Sequence, residues 1–205
     1  MNQLKLGPVY RIETPRTVIR CWEPADAPLL LKAINESLDH LRPWMPWAMQ
    51  EPTSLAEKVQ RLRLFRAKFD LGEEFVYAVF NPEETQVLGG TGLHSRMEGN
   101  AYEIGYWVHV DHINQGLATE ITAALTKVAF EVEARDWVEI HHDPANKASG
   151  AVPKKLGYTK EAVLRGRLID SQGQPRDTVI WSLFKDQYPS SPAAQAKIKA
   201  FDVVG

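Results

Sequence analysis

Between Ala101 and Glu131 the sequence passes from a strand through a glycine turn into a helix, and this constrains the fold more than any other stretch. Ala101-Tyr102-Glu103-Ile104-Gly105-Tyr106-Trp107-Val108-His109-Val110 is rich in β-branched and aromatic residues, which suit a pleated strand. Asp111-His112-Ile113-Asn114-Gln115 breaks it with short polar groups. From Gly116 a helix begins, with Leu117, Ile121, Leu125, Val128 and Val132 at helical spacing. A glycine where loop becomes helix lets the backbone approach a ligand closely, because it has no Cβ. The first free N–H groups of the helix, with its dipole, suit an anion such as a pyrophosphate. The segment therefore points to an ADP- or pyrophosphate-bearing cofactor.

Two common cofactor loops do not match. A Walker A loop needs G-x-x-x-x-G-K-[ST], and the chain has no such run. A dinucleotide fingerprint needs G-x-G-x-x-G opening a helix, whereas Gly90-Thr91-Gly92 continues into His94 and Ser95 without a helix start. The run Gln115-Gly116-Leu117-Ala118-Thr119-Glu120, after a strand ending Gly105-Tyr106-Trp107, resembles the acyl-CoA loop of the GNAT acetyltransferases. Within them it is most similar to the RimJ/RimL branch, which acetylates protein N-termini and related amines. The family pattern is Q/R-x-x-G-x-G/A, and its first position is Ile113 here. The resemblance implies acetyl-CoA as cosubstrate, held by Val108, His109, Val110, Asn114, Gln115, Gly116, Leu117, Ala118 and Thr119.

A second segment is similar to the family motif N-x-x-S-x-x-V-x-x-K-L-G-[FY]. It runs from Asn146 through Ser149 and Val152 to Lys155-Leu156-Gly157-Tyr158, after a strand around Val138-Glu139-Ile140-His141. The resemblance implies that Asn146 holds the pantetheine arm or the neighbouring strand; helix capping is the alternative that Asn favours on its own. In relatives the Ser, or a Tyr further on, lies near the thioester sulfur. Pro153 stands where many relatives carry that Tyr, so the role passes to Ser149. A proline there should kink the helix or confine it to its first turns, and Gly157 suits the helix end.

The remaining elements place these segments. Arg16 to Trp22 reads as a strand, and Ala27 to Ser37 as a helix with Leu30, Leu31 and Ile34 on one side. Leu41 to Trp47 is a proline-interrupted loop. Thr53-Ser54-Leu55-Ala56-Glu57 caps a charged helix reaching about Leu71. Phe75–Phe80 and Gln86–Ser95 read as strands joined at Asn81-Pro82-Glu83-Glu84. Tyr158–Leu168 and Arg176–Phe184 read as a hairpin around Asp170-Ser171-Gln172-Gly173, and Pro189–Gly205 as a polar, Ala-rich tail with a short helix. The order resembles the GNAT fold, an α/β (α+β) arrangement: a central, mixed, mostly antiparallel twisted sheet of about seven strands flanked by helices. Its central strands, near 102–110 and 137–142, should splay apart to receive pantetheine along an exposed strand edge. The expected organisation is one acetyltransferase domain over 1–188 and a tail over 189–205.

For a family member, the reaction is acetyl transfer to a primary amine, which must first lose a proton. The resemblance makes Glu103 the leading base and Ser149 the hydrogen-bond partner of the leaving thiolate; a surface carboxylate is the alternative for Glu103. The N–H near Val108 would polarise the thioester carbonyl. Trp44 and Trp47, with Met45 and Met49, read either as core or as an acceptor wall able to attract an ammonium through ring faces. His94 and Tyr106 join them as substrate-binding candidates, and His109 or His142 are alternative bases. Cys21, on the first strand, reads as a small buried residue. Metal binding is not expected: His141 and His142 are adjacent on a strand and point to opposite faces, and the His/Asp spacing fits no compact zinc pattern. No G-x-S-x-G elbow supports a hydrolase.

Composition narrows the setting. In 205 residues, 44% are apolar, enough for a substantial core. A net charge of −2 with signs interspersed argues against nucleic acid as a partner. No run reaches membrane-spanning length, Met1 to Pro8 lack an apolar signal region, and a lone Cys21 suits a reducing cytoplasm. The expected partner is an amine acceptor: a protein or peptide N-terminus, a ribosomal protein being the family's best-known kind, or a small-molecule amine such as an antibiotic or toxin. A CoA-binding module without catalysis is the third reading. Relatives are often dimers, so a homodimer is among the assemblies the resemblance implies.

Overall fold

The computed structural model describes residues 8–170 and 173–205. In chain order the elements are β1 (Arg11–Glu13), β2 (Val18–Cys21), α1 (Ala27–Leu41), α2 (Leu55–Asp70), β3 (Phe75–Phe80), β4 (Val87–His94), β5 (Ala101–Val108) and α3 (Leu117–Glu131). Then follow β6 (Trp137–His142), α4 (Lys147–Lys155), β7 (Thr159–Ile169), β8 (Pro175–Phe184) and β9 (Lys199–Phe201). Among the described residues all strands join one nine-stranded sheet in the order β7-β8-β6-β5-β4-β3-β2-β1-β9. Only β5 and β6 run parallel; every other neighbouring pair is antiparallel.

Strand alternation sorts the two faces. Leu93 of β4 lies opposite Ile104 of β5, and both pack with Leu117, Ile121 and Leu125 of α3 and Val152 of α4. Ala78 and Phe80 of β3 face the other way, into Leu30 and Ile34 of α1 and Leu62 of α2. His94 and Glu103, also opposite each other, project on that second face.

The central strands splay. β5 and β6 pair only at Ala101↔Trp137, Tyr102↔Val138 and Glu103↔Glu139. Beyond these, β5 stays locked to β4 as far as Gly89↔Val108, and β6 to β8 as far as His142↔Val179. Each strand follows its outer neighbour, so the twist of the sheet opens a gap between them.

The structure extends several elements. The sheet has nine strands where about seven were expected; the additions include the three-residue β1 and β9, too short to stand out as patterns. α1 runs past Ser37 to Leu41, because Leu38 and Leu41 continue its apolar side and Pro43 lies beyond. The C-terminal stretch forms two 3₁₀ turns, Tyr188–Ser190 and Pro192–Gln195, and then β9. Pro189 and Pro192 lack the N–H that a longer helix would need. Ser171 and Gln172, which the sequence reading put in the hairpin turn, and Met1 to Gly7 lie outside the described residues. Among the described residues no helix is long and apolar enough to cross a membrane.

Candidate active site

A cavity of about 470 Å³ opens at the splay, against the start of α3 and the first turns of α4. Val108, Asn114, Gly116, Leu117, Ala118 and Thr119 line it from the strand–loop–helix side, and Asn146 and Ser149 from α4. Asn114 and Gly116 have φ of 59° and 77°, the left-handed region that glycine enters without steric cost. Arg16, a residue the sequence did not single out, holds this loop: Nη1 donates to the Gln115 carbonyl at 3.0 Å, and Nε pairs with Glu120 at 2.6 Å.

His109, Val110 and Gln115 do not line the cavity. The buried His109 ring places Nε2 3.0 Å from Glu36 and accepts the Asp111 N–H at Nδ1, while the Gln115 amide donates to the Asp111 carbonyl. His112 does line it, with a buried Nε2 that has no partner among the described residues. A left-handed glycine, the free N–H groups opening α3 and this unspent imidazole nitrogen suit an anionic, polar cofactor.

Asn146 is the N-cap of α4; its side chain accepts the Ser149 N–H at 3.0 Å. Pro153 lies inside α4, which ends two residues later at Lys155. A proline cannot donate to the carbonyl four residues back, which here is Ser149. That carbonyl instead accepts the Tyr106 hydroxyl at 3.2 Å, and the Ser149 hydroxyl lies 3.0 Å from the same oxygen. Burial pushes the Tyr106 phenol up to about 12, with the Ser149 hydrogen bond opposing, so it keeps its proton at neutral pH. Strand β5 and helix α4 are thus tied together across the splay by one phenol.

A second cavity, about 1120 Å³, lies on the α1–α2 face. Trp44, Met45, Tyr106, Trp107, Asn146 and Ser149 line both cavities, so the two meet at the splay. The residues proposed for the acceptor side, Trp44, Trp47, His94 and Tyr106, all border the larger one, as does Glu103. Trp47 packs edge-on against Trp107 at 6.1 Å. The loop carrying Trp44 is fastened by Arg176 of β8, whose guanidinium donates to the Pro43 and Trp44 carbonyls and pairs with Asp143 at 3.5 Å. Sequence reasoning missed Arg176, because the loop it fastens is more than a hundred positions away.

The cavity's titratable groups are engaged differently. Glu103 is flanked by Arg96 at 3.3 Å and by His141 Nδ1 at 3.7 Å. His141 Nε2 lies 2.7 Å from Glu139. His142 donates from Nδ1 to the Asp143 carbonyl and accepts the Trp181 indole N–H at Nε2, so both nitrogens are occupied. His94 Nδ1 lies 3.1 Å from Glu74, and the ring's hydrogen bonds and ion pairs among the described residues leave Nε2 unused. Its ring lies over the cross-strand pair Gly92↔Gly105: a Cβ on Gly92 would fall 2.7 Å from Nε2, and one on Gly105 3.3 Å.

Comparison with known proteins agrees with this architecture. A family model described as an acetyltransferase (GNAT) domain matches residues 16–159. The chain is 26% identical over 178 residues to the [ribosomal protein uS5]-alanine N-acetyltransferase of Escherichia coli (strain K12), covering 86% of this chain and 91% of that protein. Its fold is shared by ribosomal-protein-S5-alanine acetyltransferase from Vibrio fischeri, with TM-score 0.76, 19% identity and coverage of 87% and 98%. Mycobacterium smegmatis RimJ, solved with CoA-disulfide, superposes with TM-score 0.76 at 21% identity, covering 92% and 90%.

Proposed function

The chain belongs to the GNAT acetyltransferases, and from that premise we propose that it transfers acetyl from acetyl-CoA to the N-terminal α-amine of a protein or peptide of the ribosomal-protein kind. The carrying observation is the meeting of two cavities at Tyr106, Asn146 and Ser149, one suited to an anionic cofactor and the other walled by aromatics and a carboxylate. The acceptor cavity reaches the surface at Leu64 of α2 and Leu168 of β7, both exposed, which favours an extended acceptor over an enclosed small amine.

Bound acetyl-CoA supplies a thioester carbonyl and a thiol leaving group. Around it the chain's residues take separate parts. The His109 N–H is spent on the Leu88 carbonyl of β4 at 2.8 Å. Strand N–H groups alternate in direction, so that of Val108 faces the splay, where a donor stabilises a developing oxyanion. Asn146 holds α4 in place, and the Ser149 hydroxyl, steadied by Tyr106, donates to the departing sulfur. Glu103 and the tryptophan faces draw the acceptor ammonium into the cavity.

A transfer assay tests this. Thiol release from acetyl-CoA should accelerate with a peptide bearing a free N-terminal alanine, and mass spectrometry should find one added acetyl group on its α-amine. Acetylation of small amines with peptides left untouched would favour the small-molecule reading. Binding of acetyl-CoA with no transfer to any amine would leave the non-catalytic module.

A further inference from the structure

We propose that His94, oriented by Glu74, is the base that takes the proton from the acceptor ammonium, and that Glu103 acts on that ammonium only through its charge. This rests on the amine-acetyltransferase reading above. The imidazole has the position required. Its Nε2 sits above Gly92 and Gly105, so the ring leans along the sheet from position 94 toward Trp107 and the junction of the two cavities. Glu103 starts at the same register as His94, but its carboxylate is held between Arg96 and His141.

The tautomer is set by position as well. Glu74 is a carboxylate accepting from Lys68 at 3.2 Å and lying 3.1 Å from His94 Nδ1. A carboxylate can only accept, so Nδ1 carries the proton and the Nε2 lone pair faces the cavity. Among the three histidines lining that cavity, only His94 leaves a ring nitrogen without a hydrogen-bond or ion-pair partner in the described residues. The two glycines fit the same picture, since a side chain at either position would displace the ring.

The charged groups facing the ring are Glu74 ahead of β3, Arg96 beyond β4 and Glu103 on β5; Lys68 of α2 reaches it through Glu74, and His141 of β6 adjoins Glu103. Burial, then Arg96, holds the imidazole below its ordinary value against the pull of the two carboxylates, so it is neutral at physiological pH. The step balances. The ammonium N–H breaks and its proton binds Nε2; the freed lone pair forms the C–N bond while the C–S bond breaks. The second amine proton passes through the Ser149 hydroxyl to the thiolate, and the imidazolium returns its proton to water.

The test uses H94Q, H94A and E74Q, with acetyl-CoA and a peptide bearing N-terminal alanine. For the wild type, kcat/KM should rise on an acidic limb lying below the ordinary imidazole range, matching the His94 midpoint read by NMR in the free protein. H94Q should lower kcat/KM about 10²-fold or more at neutral pH and abolish that limb, with acetyl-CoA affinity unchanged by calorimetry. Added imidazole should partly restore H94A. E74Q should move the NMR midpoint of His94 to lower pH, since the lost carboxylate stabilised the imidazolium. An active wild type whose H94Q variant keeps its limb and at least a third of its rate would overturn the assignment alone. A wild type inactive toward every amine would overturn the underlying reading and this inference with it.

Discussion

At Gly116 the backbone sits at φ 77°, where a β-branched side chain meets its own carbonyl. The nearest atom outside the local chain, Arg16 Nη2, would be 3.9 Å from an added Cβ, so backbone conformation rather than crowding demands the glycine. Gly116→Val should therefore shift the start of α3 and lower acetyl-CoA affinity at least about tenfold, read by calorimetry; unaltered affinity would remove this loop from the cofactor site. This residue was legible in the sequence because its constraint is local. Pro153 was legible only in part. That it must end α4 soon follows from its ring, but that the freed Ser149 carbonyl would be taken by Tyr106 depends on β5 lying beside α4.

At the scale of elements, α2 anchors the loop that walls the acceptor cavity. Ser54 and Glu57 form the capping box expected at its start, a pattern readable from four consecutive residues. One turn in, Lys58 forms a fully buried ion pair with Glu51, which also accepts from Thr53 and Arg61. Burial works against the Glu51 charge, but the hydrogen bonds of Lys58 and Thr53 outweigh it and hold its carboxyl below the usual range. Since the folded value is the lower one, this contribution is complete above the ordinary carboxylate range and fades as pH falls through the folded value. Lys58→Ala should cost about 3–5 kcal/mol in urea unfolding, because Glu51 would remain buried and uncompensated. Replacing both partners, as K58M with E51Q, should recover most of that loss. Nothing in the spacing of Glu51 and Lys58 announced this pair, since a helical lysine is ordinarily solvated.

For the whole molecule, the last residues close the sheet and cover α3. Tyr188 stacks on Phe130 at 4.6 Å and donates to Glu131, Ala193 is buried, and the Ala194 carbonyl accepts from Lys127. β9, the outermost strand, pairs with β1 and adds only the half-buried Ala200 to the margin of the core. Ending the chain at residue 197 should thus lower the melting temperature by a few degrees and preserve acetyl-CoA binding, whereas ending it at residue 187 should abolish cooperative unfolding by circular dichroism. The sequence by itself determined the strand–glycine–helix unit, the motif from Asn146 to Tyr158, most element positions and the family they indicate, since each is encoded in contiguous residues through backbone preference, period and capping. The splay of the two central strands was already implied by the family resemblance; the tertiary structure alone decided that it begins just after Glu103, that Arg176 fastens the Trp44 loop, and that His94 rests on two glycines beside Glu74. These depend on sheet order, twist and cross-strand register. Such quantities bring together residues far apart in the chain, and no local pattern records them.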